Sequence, residues 1–308
     1  MTNLGPEIPL WGWISFGLLV VALLAIDHIA HHGERAGSRK VAIVWSIIWI
    51  AAGLLFNIVV WLFFGTQAAT EYLATYLIEK ALSTDNMFLF LVVFESLNIP
   101  REQQHKTLFW GILGAVCFRG LFIFLGAEAL RRWEWITYIF GAIVLFAAYR
   151  AFRHDPAKSE KSKLVEWLSN RTPITESTHG GRFIAREEGQ LAATPLVLAL
   201  IAIELTDIMM AIDSVAVAFS ISRNPFVIYT SNVFAILGLR ALYLLLAHTI
   251  AKVRYLHYGL AVVLAFAGIK LIADPIISIS PLVSIIFTAS VIGISIWLSL
   301  KKRAPREK

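Results

Sequence analysis

The chain has 308 residues, of which 58% are hydrophobic and only 16% are charged. A soluble globular chain is about 45–50% apolar and about 25% charged, so this composition argues against a soluble protein. The single cysteine excludes a disulfide framework and a thiolate metal cluster. The net charge of +6 indicates nucleic acid or an anionic surface as a partner, depending on where the basic residues lie.

Nine stretches are apolar enough to be membrane helices, which need about 20 residues each. The first, second and last contain no charged residue, and the others are interrupted by a few charges. In chain order they cover residues 9–26, 41–64, 72–97, 107–127, 133–149, 194–222, 225–251, 255–273 and 275–300. We therefore predict an all-α membrane protein with about nine transmembrane helices.

The basic residues between these stretches fall almost entirely on one side. If the N-terminus is outside, twenty of them lie on the inner side and three on the outer side, namely Arg131, Arg132 and Arg223. Cytoplasmic loops are enriched in Lys and Arg, so this distribution predicts an outer N-terminus and a cytoplasmic C-terminus. The first stretch lacks the basic flank of a signal peptide, and we expect it to be retained.

Two of the predicted spans contain acidic residues deep in their apolar stretch and the first ends at one, although a charge at mid-membrane costs about 2.5–3.5 kcal/mol. They are Asp27 at the end of the first span, Glu79 and Asp85 in the third, and Glu204, Asp207 and Asp213 in the sixth. Such residues face a bundle interior or a wet cavity and need positive partners. Lys80, Arg119, Arg240 or a bound cation could supply that charge.

The spacing of these acids predicts discontinuous helices. Glu79 and Asp85 are six residues apart, as are Asp207 and Asp213, and six residues rotate an ideal helix by about 600°, so neither pair shares one face. If both members of a pair serve one site, the helix must unwind near residues 83–86 and 213–214. Short polar side chains there compete for backbone hydrogen bonds.

The two acidic stretches also align with each other. Placing Glu79 over Asp207 puts Asp85 over Asp213, and the apolar stretches that follow match as well. The halves are three spans apart and must run in opposite directions, which is the inverted repeat of many transporters. We divide the chain into two N-terminal transmembrane helices (1–70), a first three-helix repeat (71–150), a cytoplasmic linker (151–193), a second, inverted repeat (194–274), and a last helix with a basic tail (275–308).

Carboxylate, amide and hydroxyl oxygens are hard ligands that suit Mg²⁺, Ca²⁺ or Mn²⁺. The candidate metal ligands are Glu79, Asp85, Asn86, Asp207, Asp213 and Ser214, and the secondary candidates are Asp27, Glu204, Asn232, Arg119 and Arg240. Glu204 shares a helix face with Asp207, so it either joins the site or pairs with a basic residue such as Arg240. The alternative for Asn232 is an interhelical hydrogen bond.

Three motifs resemble the TerC/Alx family of integral membrane proteins, and most closely its Alx branch. They read YLIEKALSTDN at 76–86, ELTDIMMAIDS at 204–214 and NPFVIYTSNVFAILGLRALY at 224–243, and looser similarity covers nearly the whole chain. The resemblance implies two inverted three-helix units, a bacterial inner membrane, export of Mn²⁺ from the cytoplasm, and a metal path lined by the acids of the first two motifs. One departure is Ala216, where the family usually has the proline that would break the helix.

We therefore predict a transporter that exports divalent cations, with Mn²⁺ favoured, through a mid-membrane acidic site and in exchange for protons. The alternatives are a metal-delivery or assembly partner of the secretion machinery, and a tellurite-resistance-type metal homeostasis protein that does not carry tellurite, since carboxylates repel an oxyanion.

The sequence lacks a nucleophile–base signature, so we do not expect an enzyme. We expect no permanently bound cofactor, the lipid bilayer and a divalent ion as partners, and no nucleic acid. Contact with the secretion machinery and a homo-oligomer are left open.

Overall fold

The structure, a computed structural model, describes residues 8–30, 39–153, 175, 178–187, 190–247, 256–274, 276 and 279–301. This part of the chain is almost entirely helical, with one two-stranded hairpin. The helices are α1 (Leu10–Ala30), α2 (Arg39–Ser96), α3 (Arg101–Arg132), α4 (Ile136–Arg153), α5 (Pro195–Ile221), α6 (Pro225–Leu237), α7 (Leu239–Ala247), α8 (Leu256–Ala273) and α9 (Pro281–Lys301). The strands are β1 (Ile184–Glu187) and β2 (Gln190–Ala193).

The longest element, α2, is bent at Gly65. A straight helix of its 58 residues would be about 87 Å long, whereas a hydrocarbon core is about 30 Å thick. Gly65 has φ 82° and ψ 179°, a backbone conformation essentially restricted to glycine. The Tyr72 hydroxyl donates to the Gly53 carbonyl oxygen at 3.1 Å, and the Tyr76 ring fills the space that a Cβ on Gly53 would need. The two arms of α2 therefore lie side by side.

Seven helices in the described residues are long and apolar enough to cross a membrane. One of them, Lys40–Ser96, runs through the bend and contains both the second and the third predicted span. The eighth predicted span is a shorter apolar helix, Tyr258–Ala273. The chain is thus the all-α membrane protein that its composition predicts, while the count of nine spans stays a prediction.

The helix breaks expected at residues 83–86 and 213–214 are wrong, because α2 and α5 are helical through both stretches. The Thr84 hydroxyl donates to the Lys80 carbonyl oxygen at 2.8 Å, one turn earlier in the same helix, so it bonds to an intact helix instead of competing with it. Ala216 keeps the backbone N–H that a proline would remove. Both acidic motifs therefore lie on continuous helices.

An interruption of the helical backbone occurs instead at Gly238, between α6 and α7. A Cβ on Gly238 would lie 2.9 Å from both Lys80 Nζ and Trp49 Cβ on α2. Glycine is therefore required here by close contact between two helices, and the discontinuity lies two residues before Arg240.

The helices pair in an order that the predicted inverted repeat would produce. α2 packs along α6 and α7, α3 packs along α5, and α4 packs along α8. If the two predicted repeats are exchanged, the contact of α2 with α6 and α7 becomes the contact of α5 with α3. The contact between α4 and α8 stays the same. The arrangement agrees with the repeat, which itself stays a prediction together with the domain boundaries.

Apolar side chains cover the outside of the bundle, and charged side chains lie inside it. Leu18, Leu62 and Leu125 are each more than half exposed, as suits contact with lipid. The buried ionisable side chains include Asp27, Glu79, Arg119, Asp207, Arg240 and Lys270. This inside-to-outside distribution is that of a membrane bundle with a polar interior.

The predicted linker contains an antiparallel hairpin, although its polar sequence gave no sign of one. β1 pairs with β2 in a register that places Ile184 opposite Ala193. Lys106 at the start of α3 donates to the Gly181 carbonyl oxygen at 3.2 Å, which ties the linker to the helical bundle. Residues 154–174 of the linker lie outside the described part of the chain.

Candidate ion site

The candidate site is built around Arg119, a fully buried side chain on α3. Its guanidinium forms an ion pair with Glu79 on α2 and another with Asp207 on α5, where Nη2 lies 3.3 Å from Oδ1. Nη1 also donates to Asn232 Oδ1 on α6 at 3.0 Å. One arginine thus connects four helices, and it brings together the two acids that the repeat alignment placed at equivalent positions.

Glycines on α3 allow this close assembly. A Cβ on Gly111 would lie 3.2 Å from Ile203 Cγ2, and one on Gly120 would lie 3.0 Å from the Tyr229 ring. A Cβ on Gly114 would overlap the carboxylate of Glu204. Small residues let helix backbones approach each other in membranes, and here they leave room for an acidic side chain.

Carboxylates outnumber the guanidinium in this cluster. Glu204 is half-buried, lies one turn before Asp207 on α5, and rests against Gly114. Asp207 Oδ2 and Glu204 Oε2 are buried and accept no hydrogen bond from any described residue. A buried polar atom without a partner needs an explanation, and for a carboxylate oxygen a proton or a cation provides one.

The other predicted cationic partners occupy separate positions. Arg240 on α7 pairs with Asp27 on α1 at 3.3 Å, and both side chains are buried. Glu204 therefore does not have Arg240 as its partner. Lys80 Nζ points into the bundle and donates to the Ala235 carbonyl oxygen at 3.0 Å, at the end of α6.

Asp213 lies apart from the Arg119 cluster. Its Oδ2 is 3.6 Å from Arg150 Nη2 on α4, and both side chains are partly exposed. Ser214 and Asn86 are buried, and the side chain of Asp85 is outside the described part of the structure. Among the described residues, no group of three or more His, Cys, Asp or Glu side chains is close enough to hold a metal ion. Of the predicted ligands, Glu79 and Asp207 thus lie in the Arg119 cluster and Asp213 lies apart from it, and the role of all six as one metal site stays a prediction.

Two contributors were missed in the sequence analysis. Arg150 was assigned to the inner connecting segment, but its long side chain reaches Asp213 from near the end of α4. Lys270 is buried near the end of α8. A lone charge in the apolar stretch 255–273 was the available signal for it.

The chain resembles known membrane proteins over most of its length. The sequence profile of the integral membrane protein TerC family matches residues 64–307. The uncharacterized membrane protein STKORF319 of Myxococcus xanthus is 38% identical over 293 residues, covering 94% of this chain and 92% of that protein. Alx of Escherichia coli K12, named as a proposed membrane-bound redox modulator, is 39% identical over 284 residues, or 88% of each chain.

An uncharacterized membrane protein of Rickettsia bellii is 33% identical over 294 residues, covering 94% of this chain and 97% of the relative. No solved structure matches the chain. Since the profile match and these relatives cover most of the sequence, the chain belongs to the TerC family of integral membrane proteins.

Proposed function

We propose that this protein exports a divalent metal cation, Mn²⁺, from the cytoplasm, and that the acids around Arg119 form part of the path. The carrying observation is the pair of buried carboxylate oxygens, Asp207 Oδ2 and Glu204 Oε2, that have no hydrogen-bond partner among the described residues. They lie in a cluster with more carboxylates than guanidinium groups. A hard cation is the ligand that this excess of oxygen and negative charge favours.

Arg119 gives the cluster a way to change between states. Without a cation, the guanidinium balances Glu79 and Asp207. A divalent ion that binds these carboxylates competes with the guanidinium and loosens contacts between α2, α3 and α5. Such a change at the interface between the two predicted repeats is the kind of event that lets one repeat rock against the other.

Exchange for protons follows from the same carboxylates. Metal binding requires them ionised, so a metal ion and a proton exclude each other at the site. Export of a cation from a negatively charged cytoplasm also needs an energy source, and inward proton movement supplies one. We therefore expect the pH gradient to drive transport.

The redox role proposed in the name of the Escherichia coli relative would act here through metal balance. The chain contains one cysteine, Cys117, which is exposed on the side of α3. A single cysteine cannot form an intramolecular disulfide, so a dithiol switch within one chain is excluded. We place the protein in a bacterial inner membrane with the N-terminus outside.

The test is a metal panel in proteoliposomes, with and without a pH gradient. We expect Mn²⁺ flux that the gradient accelerates, and a roughly 10- to 100-fold lower initial rate for Asp207→Asn and for Asp213→Asn. The matched control is Glu128→Gln, which changes an exposed acid held by Arg131 and Arg132 at the end of α3. Normal Mn²⁺ flux through both aspartate variants would overturn the proposal.

A further inference from the structure

A second polar feature lies at the end of the bundle where α2 bends, α5 leads into α6, and α8 is followed by α9. An open cavity of about 730 Å³ lies there, and the described residues that line it include Gln67, Glu71, Ser220, Lys270 and Asp274. We call it the Gly65-end cavity. A single water needs about 10–15 Å³, so the cavity has room for many waters and a divalent ion could enter it hydrated.

Four charged side chains line the Gly65-end cavity, two of each sign. Glu71 Oε2 accepts a hydrogen bond from the Ser222 hydroxyl at 2.5 Å. Arg223 and Asp274 form an ion pair at 2.9 Å near the solvent. Lys270 is only 3% exposed, and its Nζ donates to Ser284 Oγ on α9 at 2.9 Å.

Lys270 differs from the other basic residue of this cavity in its pairing. Arg223 is neutralised by Asp274, whereas Lys270 has no carboxylate within ion-pair distance among the described residues. The ammonium group therefore contributes to the wall a positive charge that no described carboxylate holds in a direct ion pair. Since a buried position weakens screening by water, this charge acts on any cation that enters.

On the opposite side of the Arg119 cluster, the described residues leave a small gap that is lined mostly by apolar side chains. The gap next to Asp207 there measures about 10 Å³ and is lined by residues such as Phe90, Leu108 and Ile236. A single water needs about 10–15 Å³, so this gap is too small to hold a hydrated ion. Towards the Gly65 end, Glu71 lies two turns before Glu79 on α2, a distance of about 12 Å along the helix. The wide polar space that the described residues form thus lies on the Gly65 side of the cluster.

We propose that the Gly65-end cavity is the vestibule through which the exported cation leaves, with Glu71 as a weak cation site and Lys270 as the charge that keeps it weak. The inference rests on the proposed export function and on the orientation that places this end outside. An exit site must bind an ion loosely enough to release it. Lys270 meets this need because its positive charge lowers the affinity of the nearby carboxylate for a cation and disfavours re-entry.

The first test measures inhibition by Mn²⁺ on the exit side. In inside-out membrane vesicles, the lumen corresponds to the outside of the cell, and luminal Mn²⁺ is varied while uptake is measured. Lys270→Met is expected to lower the half-inhibitory luminal concentration about tenfold, because the carboxylate then binds the ion more tightly. Glu71→Gln is expected to raise it about tenfold.

The matched controls are Arg131→Met and Glu128→Gln, which remove the same charges at the exposed end of α3. We expect them to resemble the unchanged protein. If the Lys270 and Glu71 variants have the same half-inhibitory luminal Mn²⁺ concentration as the unchanged protein while Mn²⁺ uptake continues, the vestibule is overturned and the export function stands. If the unchanged protein carries no divalent ion, both are overturned.

A second test does not depend on transport or on variants of charged residues. In a Cys117→Ala background, Ser220→Cys places a thiol on the wall of the cavity, and Ser231→Cys places one in the buried part of α6. A membrane-impermeant thiol reagent added outside intact cells is expected to modify position 220 and to leave position 231 unmodified. Modification of position 220 only from the cytoplasmic side would overturn the vestibule.

Discussion

Arg119 carries the electrostatic balance of the buried cluster at the scale of single residues. It touches Glu79 and Asp207 at once, and all three side chains are almost fully buried. Removing one partner of a buried ion pair costs about 3–5 kcal/mol, because the remaining charge is left uncompensated. Here the loss would expose two carboxylates to that penalty.

We therefore predict that Arg119→Met lowers the free energy of unfolding by about 3–5 kcal/mol. The triple variant Arg119→Met, Glu79→Gln, Asp207→Asn should recover most of this loss, because it contains no unbalanced charge, and it should still fail to transport. Denaturant unfolding in detergent and Mn²⁺ flux measure the two properties separately. A triple variant as unstable as the single one would show that packing, and not charge, explains the effect of Arg119.

Gly114 is the second residue whose role can be isolated. A Cβ at this position would overlap the Glu204 carboxylate, which is the far end of a flexible side chain and can move away. Gly114→Ala should therefore raise the half-saturating Mn²⁺ concentration by roughly tenfold without a comparable loss of stability. The measurement is the concentration dependence of flux in proteoliposomes.

The matched control is Gly111→Ala, one turn earlier on α3. A Cβ there would lie 3.2 Å from Ile203 Cγ2 and would meet no acidic group. It should change the concentration dependence of flux by less than a factor of about two, since only apolar packing is affected. Equal effects of the two alanines would mean that Glu204 has no part in ion binding.

At the scale of elements, the bend at Gly65 determines where the third span begins. Its φ of 82° and ψ of 179° lie in a region that costs other residues about 1–3 kcal/mol. No atom lies within 4 Å of a Cβ built on Gly65, so the effect of a substitution would come from the backbone alone. We predict that Gly65→Ala lowers the free energy of unfolding by about 1–3 kcal/mol.

The comparison variant is Gly17→Ala in the middle of α1, where a Cβ also meets open space but the backbone is helical. It should be neutral or slightly stabilising, because alanine is the better helix former. Thermal unfolding in detergent distinguishes the two variants. Similar midpoints would contradict a strained conformation at residue 65.

The elements also explain which parts of the site could be predicted from sequence. Charges in apolar spans must be paired, so the scarcity of charge placed Arg119 among the possible partners of the acids without indicating which acids it would contact. Asp207 and Asp213 do lie on different faces of α5, as their six-residue spacing predicts. The prediction that α5 must therefore break was wrong, because Asp213 has its own partner on the second face of a continuous helix. Asp213 meets Arg150, whose reach from the end of α4 no local pattern in the sequence reveals.

At the scale of the whole molecule, the two ends of the bundle differ in a way that matters for direction. The Gly65-end cavity is wide and polar, whereas the gap on the opposite side of the Arg119 cluster is small and lined mostly by apolar side chains. Export through this arrangement requires that the Gly65 end face the outside. If the chain were inserted in the reverse sense, the same geometry would describe a pathway open to the cytoplasm. Orientation is therefore part of the functional proposal.

The distribution of basic residues predicts this orientation, and reporter fusions test it. Green fluorescent protein fused after Arg153 or after Lys308 should fluoresce, because both positions lie on the side with twenty basic residues. Alkaline phosphatase, which needs disulfides formed outside the cytoplasm, should be active when fused after Trp133 or after Arg223. As controls, green fluorescent protein fused after Trp133 or Arg223 should not fluoresce, and alkaline phosphatase fused after Arg153 or Lys308 should be inactive. Active phosphatase after Arg153 would reverse the orientation, and with it the direction of transport that the cavity supports.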